Sequence, residues 1–361
     1  MPINSGLAQL SRDLLLSTVF IYAVAMLAYA CDFAFGRVRV APEPAMAGRA
    51  AANGSTATAG SGVPADGAMA ASNGAPAAGA VAVRRRADAA AAGPPAAAAG
   101  SGAAERGPGR WVRSALALTA IGLIAQVAGI ATRGISEDRV PWGNMYEFIT
   151  AITCMAIIVL LVAALRYKAH YIGLFVLVPV VFSLGLALTV IYTPAGALVP
   201  ALQSYWIAIH VTSMIVAAGL FIVGAVTTAM YLAADRNERR LAAGQSSGTA
   251  GIMLHLPRPL VLDRLSYRAV LFAFPVWTFG VMAGAIWADH AWGRYWGWDP
   301  KETWSFITWV VYAGFLHARA TAGWRGRRAA YIQLAGFCCL MFNLVGINLW
   351  VTGLHSYAGL G

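Results

Sequence analysis

The strongest constraint in this sequence is a series of apolar runs, each about as long as a lipid bilayer is thick. A hydrocarbon core of about 30 Å takes roughly 17–25 helical residues. Eight stretches qualify: 13–35, 112–132, 146–166, 170–192, 205–233, 264–288, 303–320 and 329–351. Only 11% of the 361 residues are charged, against about 25% in soluble globular chains. The expected fold is all-α, a polytopic transmembrane helix bundle of about eight spans. The first span reads as retained rather than as a cleaved signal peptide. Its run is long, it opens on Ser11-Arg12-Asp13, and no small-residue cleavage site follows.

Three regions follow. Residues 1–35 hold the first span, and 111–361 hold the remaining ones. Between them, 36–110 is rich in Ala, Gly and Pro, with Arg37, Arg39, Arg49, Arg84, Arg85, Arg86 and Arg106. So few large apolar side chains cannot bury a core, and this stretch reads as a disordered linker.

A net charge of +11 would suit a nucleic-acid binder, but its distribution excludes that class. The basic residues cluster in short segments between apolar runs: 84–86, 166–168, 236–240 and 325–328. Such clusters mark cytoplasmic loops. The linker, 166–168, 234–260 and 323–328 are therefore assigned to the cytoplasm. Segments 133–145, 193–204, 289–302 and the 352–361 tail then fall outside, as do both termini. The loop 133–145 tests this arrangement, since Arg133 and Arg139 stand beside Glu137 and Asp138; mixed signs keep its cationic excess small. Cys31, Cys154, Cys338 and Cys339 form no Cys-x-x-Cys pair and read as packed small side chains.

Between two spans runs Trp292-Gly-Arg-Tyr-Trp296-Gly-Trp298-Asp299-Pro300-Lys301-Glu302-Thr-Trp304. Asp299 suits a helix N-cap, Pro300 the first helical position and Glu302 the third, a capping box. Interfacial tryptophans are common for amphipathic reasons alone. Four within thirteen residues, interleaved with glycine, read instead as a platform for a planar apolar ligand. Haem, a quinone or a lipid would each fit.

Depth sorts the six histidines. His210 lies one to two turns into its span, and His355 just beyond the last one, both level with the tryptophan loop. They could ligate one haem iron from opposite faces. His317 follows Pro300 by 17 residues, so it lies about 25 Å deeper and would need a second site with a ligand from elsewhere. Ionisable groups inside a span are functional by default. His170 adjoins a basic turn and His255 a cytoplasmic loop, and both read as solvated. His290 stands near the tryptophans as an alternate ligand or proton donor.

The segment from Gly284-Ala-Ile-Trp-Ala through Trp304 resembles the WWD motif of the CcsA/ResC family of System II cytochrome c biogenesis proteins, called CcsB in some genomes. The likeness extends to Leu316-His317, Gly323-Trp324-Arg-Gly, Gly346-Ile-Asn-Leu and Gly353-Leu-His355-Ser-Tyr. Upstream, Arg133, Pro141, Asn144 and Tyr146-Glu147 resemble the family's first external loop. Matches also occur at 202–206, His210-Val and 262–268, so the resemblance covers most of 112–358.

It implies an external histidine pair, His210 and His355, flanking a loop that holds haem b transiently as substrate over Trp292, Trp296, Trp298 and Trp304. Asp299 enters as helix cap and loop anchor, and His317 as the intramembrane ligand. The implied setting is a cytochrome c synthetase (haem lyase-like) complex in the plasma or inner membrane, not a stand-alone enzyme. Its partners would be a ResB/CcsB-type membrane protein, apocytochrome c and thiol-reducing proteins. Where relatives commonly carry an acidic residue this chain has His290, and nothing transfers to its long linker. Two rival functions are a b-type haem electron-transfer subunit and a transporter with an aromatic substrate pathway.

Overall fold

The computed structural model describes residues 4–35, 109–196, 202–245, 256–321 and 323–355. These belong to one compact unit of the chain, Met1–Val40 with Pro108–Gly361. Residues 36–108 of the expected linker, and His255, lie outside the described residues.

Among the described residues the fold is wholly helical, with no strand. The helices are α1 (Ser5–Phe35), α2 (Arg110–Glu137), α3 (Met145–Arg166), α4 (Gly173–Thr189, preceded by a 3₁₀ turn at His170–Ile172), α5 (Tyr205–Ala242), α6 (Pro259–Trp292), α7 (Pro300–Ala320), α8 (Arg327–Met341) and α9 (Ile347–Trp350). A π turn at Phe342–Gly346 joins α8 to α9. Each of the eight expected spans is helical, and seven helical segments are long and apolar enough to cross a membrane. The exception by that measure is α7, whose 21 residues include Lys301, Glu302, His317 and Arg319.

Several helices outrun their apolar stretches. Helix α5 continues through the arginines at 236–240 to Ala242. Helix α2 continues through Arg133 to Glu137 and stops only where Asp138 turns left-handed at φ 52°. Backbone hydrogen bonding does not end at a hydrophobic boundary, so helices extend until a cap or a left-handed residue stops them.

The tightest pairings are α5 along α6 and α1 along α2, with α3 bridging to α5 and α7 packed on α8. Two large apolar cores result, beside a smaller one around Leu15, Tyr146 and Leu188. One gathers Tyr22, Tyr29, Leu160, Ile172 and Tyr231; the other gathers Phe221, Trp277, Tyr312 and Phe315. Phe221 stacks on Tyr312 at 3.9 Å.

Several polar groups inside this apolar body pair across helices, which offsets a cost of several kcal/mol for a polar group left unpaired in hydrocarbon. Tyr22 donates to Gln126 Oε1 at 2.8 Å, and Gln126 Nε2 donates to the Thr150 carbonyl and Thr153 Oγ1 at 3.0 Å. One side chain thereby joins α1, α2 and α3. Ser266 donates to Gln333 at 2.6 Å and is hydrogen-bonded to Thr228, joining α5, α6 and α8. Arg319 grips Asp263 with two bonds of 2.7 and 2.9 Å between α7 and α6.

Replacing Gln126 by Leu removes the acceptor of the buried Tyr22 hydroxyl. It is expected to lower the unfolding free energy by about 1–2 kcal/mol, read as a reduced melting temperature in detergent. Unchanged melting would show that this thread adds nothing to helix association.

Candidate functional site

One face of α6 is built to receive a histidine. Gly280, Gly284 and Trp287 recur at i, i+4 and i+7, a helical stripe, and His210 of α5 packs against it. The Gly280 carbonyl accepts a hydrogen bond from His210 Nδ1 at 2.7 Å. A β-carbon on Gly284 would lie 2.6 Å from that same nitrogen, so only glycine admits the ring here. Trp287, 2% exposed, lies parallel to the imidazole with centroids 6.0 Å apart.

The second histidine arrives from the C-terminal segment. Asp299 caps α7, its carboxylate accepting from Lys301 N at 3.3 Å, while Glu302 closes the capping box by accepting from Asp299 N at 3.1 Å. The same Asp299 carboxylate accepts from Leu354 N and from His355 Nδ1, both at 2.8 Å. Gly353 makes this approach possible, since a β-carbon there would sit 2.7 Å from Asp299 Oδ1. Burial by itself would raise the Asp299 carboxyl; hydrogen bonds from His355, Leu354 and Lys301 outweigh it and hold the group below the usual carboxylate range. Burial lowers His355, against the opposing pull of Asp299. The imidazole is thus favoured in its neutral, ligand-competent form.

Trp287 lies between the two histidines. Its ring centroid is 5.7 Å from that of His355, edge-on, and 4.8 Å from that of Trp292, which in turn touches His355 at 5.0 Å. Both histidines carry the proton on Nδ1, fixed by a backbone carbonyl in one case and a carboxylate in the other. Nε2 is therefore the basic nitrogen of each ring, the arrangement found in orienting shells of metal-bound histidine.

His210 and His355 line one cavity of about 1080 Å³, its open mouth included. Its walls come from the start of α3 with the loop before it (Trp142, Met145), α5 (His210, Met214), α6 (Trp277, Trp287, Trp292), the following loop (Trp296), α7 (Lys301, Ser305) and the π turn (Asn343).

The tryptophans of 292–304 do not form one flat surface. Trp292 and Trp296 line the cavity, whereas Trp298 and Trp304 are not among its lining residues. Trp298 adopts the left-handed conformation at φ 59° and is 65% exposed, with Trp296 and Phe306 at its edges. Trp304 follows the helical turn to the α8 side and packs on Phe342 at 4.3 Å. Glycine spacing allowed a shared platform, but helix α7 begins at Pro300 and carries Trp304 away.

His317 lies on α7 far from this cavity, with its side chain exposed on the surface of the chain. His290 is exposed too and donates from Nδ1 to the Ile286 carbonyl at 2.9 Å. His170 opens the 3₁₀ turn before α4 and meets the ring of Tyr171.

The charges read from sequence as a mixed-sign loop form a buried cluster. Glu137 and Glu147 are each bridged by both Arg133 and Arg139 at 2.7–3.0 Å, and the side chains of Arg133, Glu137 and Glu147 are at most 3% exposed. Two cations and two anions close on themselves, which removes the cost of burying any one alone. Glu147 also accepts from Gly143 N at 2.8 Å and Asn144 Nδ2 at 3.0 Å, while Asn144 caps α3. This fixes the short loop that brings Trp142 to the cavity. Trp142, Trp277, Trp287 and Lys301 were not singled out from sequence as site residues. The Gly280, Gly284, Trp287 stripe is the signal that could have revealed the α6 wall.

The profile of the family described as "Cytochrome C assembly protein" matches residues 142–355. The chain belongs to this family. Its matched span begins at Trp142 and ends at His355, the first and last residues along the chain that line the cavity. Among curated relatives, the "Cytochrome c biogenesis protein CcsA" of Guillardia theta is 36% identical over 244 residues, covering 64% of this chain and 81% of the relative. That of Gloeobacter violaceus is 32% identical over 290 residues, covering 67% and 85%. Among solved structures, "Cytochrome c Heme Lyase CcmF" superposes with a TM-score of 0.49 at 18% identity, over 66% of this chain and 42% of that one. That likeness is too partial to carry anything across. Family membership places the chain in cytochrome c biogenesis as a multi-pass membrane protein.

Asp299→Ala removes the cap of α7 and the acceptor of two donors from the C-terminal segment. A loss of about 1–3 kcal/mol is expected, with the Leu354 amide exchanging hydrogen at the rate of unprotected backbone. Protection persisting at Leu354 would show that Asp299 is not the anchor.

Proposed function

We propose that the cavity binds haem between His210 and His355 and presents it for covalent attachment to an apocytochrome c. The observation that carries this reading is the histidine pair. Two imidazoles from different helical segments, each tethered through Nδ1, line one aromatic cavity around Trp287. Axial ligation of haem iron requires that presentation, and aromatic walls suit a flat apolar macrocycle.

Haem b is here the substrate rather than a resident cofactor. The chemistry joins two cysteine thiols of an apocytochrome Cys-x-x-Cys-His segment to the two haem vinyl groups. Each addition breaks an S–H bond and a vinyl π bond and forms one C–S and one C–H bond. No oxidant or reductant is consumed. The chain contributes position: it holds the iron, keeps the ring in one plane and shields it from water. The incoming histidine of the substrate then displaces one of the two axial imidazoles. His355, on the segment after α9 rather than within a long helix, is the ligand better placed to be displaced.

The cavity belongs to the outer face of the membrane. Arg236, Arg239, Arg240, Arg325, Arg327 and Arg328 gather at the far ends of α5 and α7 and the start of α8, and this basic end is cytoplasmic by charge bias. His317, exposed on α7, serves a deeper haem whose opposite ligand comes from a ResB-type membrane partner. Its outward-facing side chain supports that division of labour, because no second ligand from this chain need approach it. Thiol-reducing proteins keep the apocytochrome cysteines as thiols.

Co-expression with a ResB-type partner and an apocytochrome c, in cells lacking their own assembly system, tests this. Covalent haem is read by peroxidase stain after denaturing electrophoresis. His210→Ala or His355→Ala is expected to lower the yield at least tenfold. Normal maturation by both variants would sink the axial assignment, and a b-type electron carrier predicts no change in yield. For His317→Gly, added imidazole is expected to restore maturation; a normally expressed variant that imidazole does not rescue would remove His317 as a ligand.

A further inference from the structure

The cavity wall formed by α7 and the π turn carries a group that histidine ligation does not use. Lys301, the second residue of α7, lines the cavity and is half-buried. Among the described residues lining that cavity it is the sole fixed cation, since His210 and His355 are the other basic groups. Its ammonium has three N–H donors, and one is taken by Asn348 Oδ1 at 2.7 Å. Asn348 is in turn held by donation from Nδ2 to the Leu344 carbonyl and by Met145 Sδ at 3.2 Å. Lys301 is therefore steered by a neutral amide rather than neutralised by a carboxylate.

The nearby acids do not discharge it. Asp299 is engaged by His355, Leu354 N and Lys301 N. Glu302 Oε2 accepts from Gly297 N and Asp299 N, and no ion pair links either acid to the Lys301 ammonium. Beside it, Ser305 Oγ donates to the Lys301 carbonyl at 2.8 Å and accepts from Asn343 Nδ2 at 3.0 Å. Asn343 is 3% exposed, and its Oδ1 and Glu302 Oε1 are buried acceptors with no donor. The π turn beginning at Phe342 turns the Asn343 side chain to this wall, a local device common at functional sites. The Lys301 cation, the Ser305 hydroxyl, the Asn343 amide and the Glu302 carboxylate, whose Oε2 is tied to two backbone amides, thus make a polar wall inside an otherwise aromatic cavity.

A lysine with two uncommitted donors in such a place is costly unless a ligand completes it. Resting on the haem reading above, we propose that Lys301 receives a haem carboxylate and so decides which edge of the macrocycle faces the wall of α7 and the π turn. Haem carries its two propionates on one half of the ring and its two vinyl groups on the other. Anchoring the carboxylate half at Lys301 turns the vinyl half away from that wall, where substrate thiols reach it. Lys301 is a positioning residue in this scheme. It touches the haem but not the reacting carbons.

The test compares ferric haem with its dimethyl ester, in which both carboxylates are neutral, by absorbance titration of the purified full-length protein in detergent. Wild type is expected to bind the diacid about ten to a hundred times more tightly than the ester, the range of one charge-assisted hydrogen bond. Lys301→Met should erase that preference while still giving the low-spin spectrum of two axial histidines, and Lys301→Arg should keep most of it. Any preference of detergent for the ester cancels in the ratio between wild type and variant. The proposal is overturned if wild type does not discriminate, or if Lys301→Met weakens both ligands equally. Should Lys301→Met fail to fold, Lys301→Gln takes its place in the same ratio, with loss of the preference expected and its retention overturning the proposal. If wild type binds neither ligand, the haem reading itself fails and the carboxylate proposal falls with it.

Discussion

The carboxylate of Asp299 is the junction on which the site depends. It ends one loop, starts α7 and ties down the segment after α9, because Lys301 N, Leu354 N and His355 Nδ1 all converge on its two oxygens. Without it, His355 would sit on a terminal segment only five residues beyond the last helix. With it, the histidine faces a cavity otherwise built from helices that precede it in the chain. The same bonds that hold the carboxylate ionised keep Nδ1 of His355 as the donor. Protonation state and position are therefore one property here.

A parallel economy governs the opposite wall. His210 is held by a backbone carbonyl, which cannot be removed by substitution, and by the space that Gly284 leaves. Trp287 then spans the distance between the two imidazoles. The His210 side of the cavity is therefore helix, and the His355 side a segment tied to Asp299.

The membrane explains why such a site can be built at the end of a bundle. Within the apolar body, buried polar side chains are used to join helices in threes, through Gln126 and through Ser266 with Gln333. The cluster of Arg133, Glu137, Arg139 and Glu147 does the same work at the cavity end, replacing a solvated loop with a closed set of ion pairs. Its members were visible in the sequence, but their burial was not. Four charges of mixed sign look alike in a loop and in a core until the third dimension pairs them.

Sequence by itself determined that the chain is a helical membrane bundle, since bilayer thickness dictates run length and backbone satisfaction dictates helix. It also determined the capping box at Asp299 and the equal depth of His210 and His355, which follow from local spacing and helical rise. Tertiary structure alone decided which tryptophans reach the cavity. Trp292 and Trp296 do so, Trp298 and Trp304 turn elsewhere, Trp277 and Trp287 join from earlier turns of α6, and Trp142 joins from a distant segment. The reason is that a stretch of thirteen residues constrains only its own backbone. Which side of a tryptophan finds a neighbour depends on where α5, α6 and the π turn pack, and those contacts span up to two hundred residues of chain, as between Met145 and Asn348.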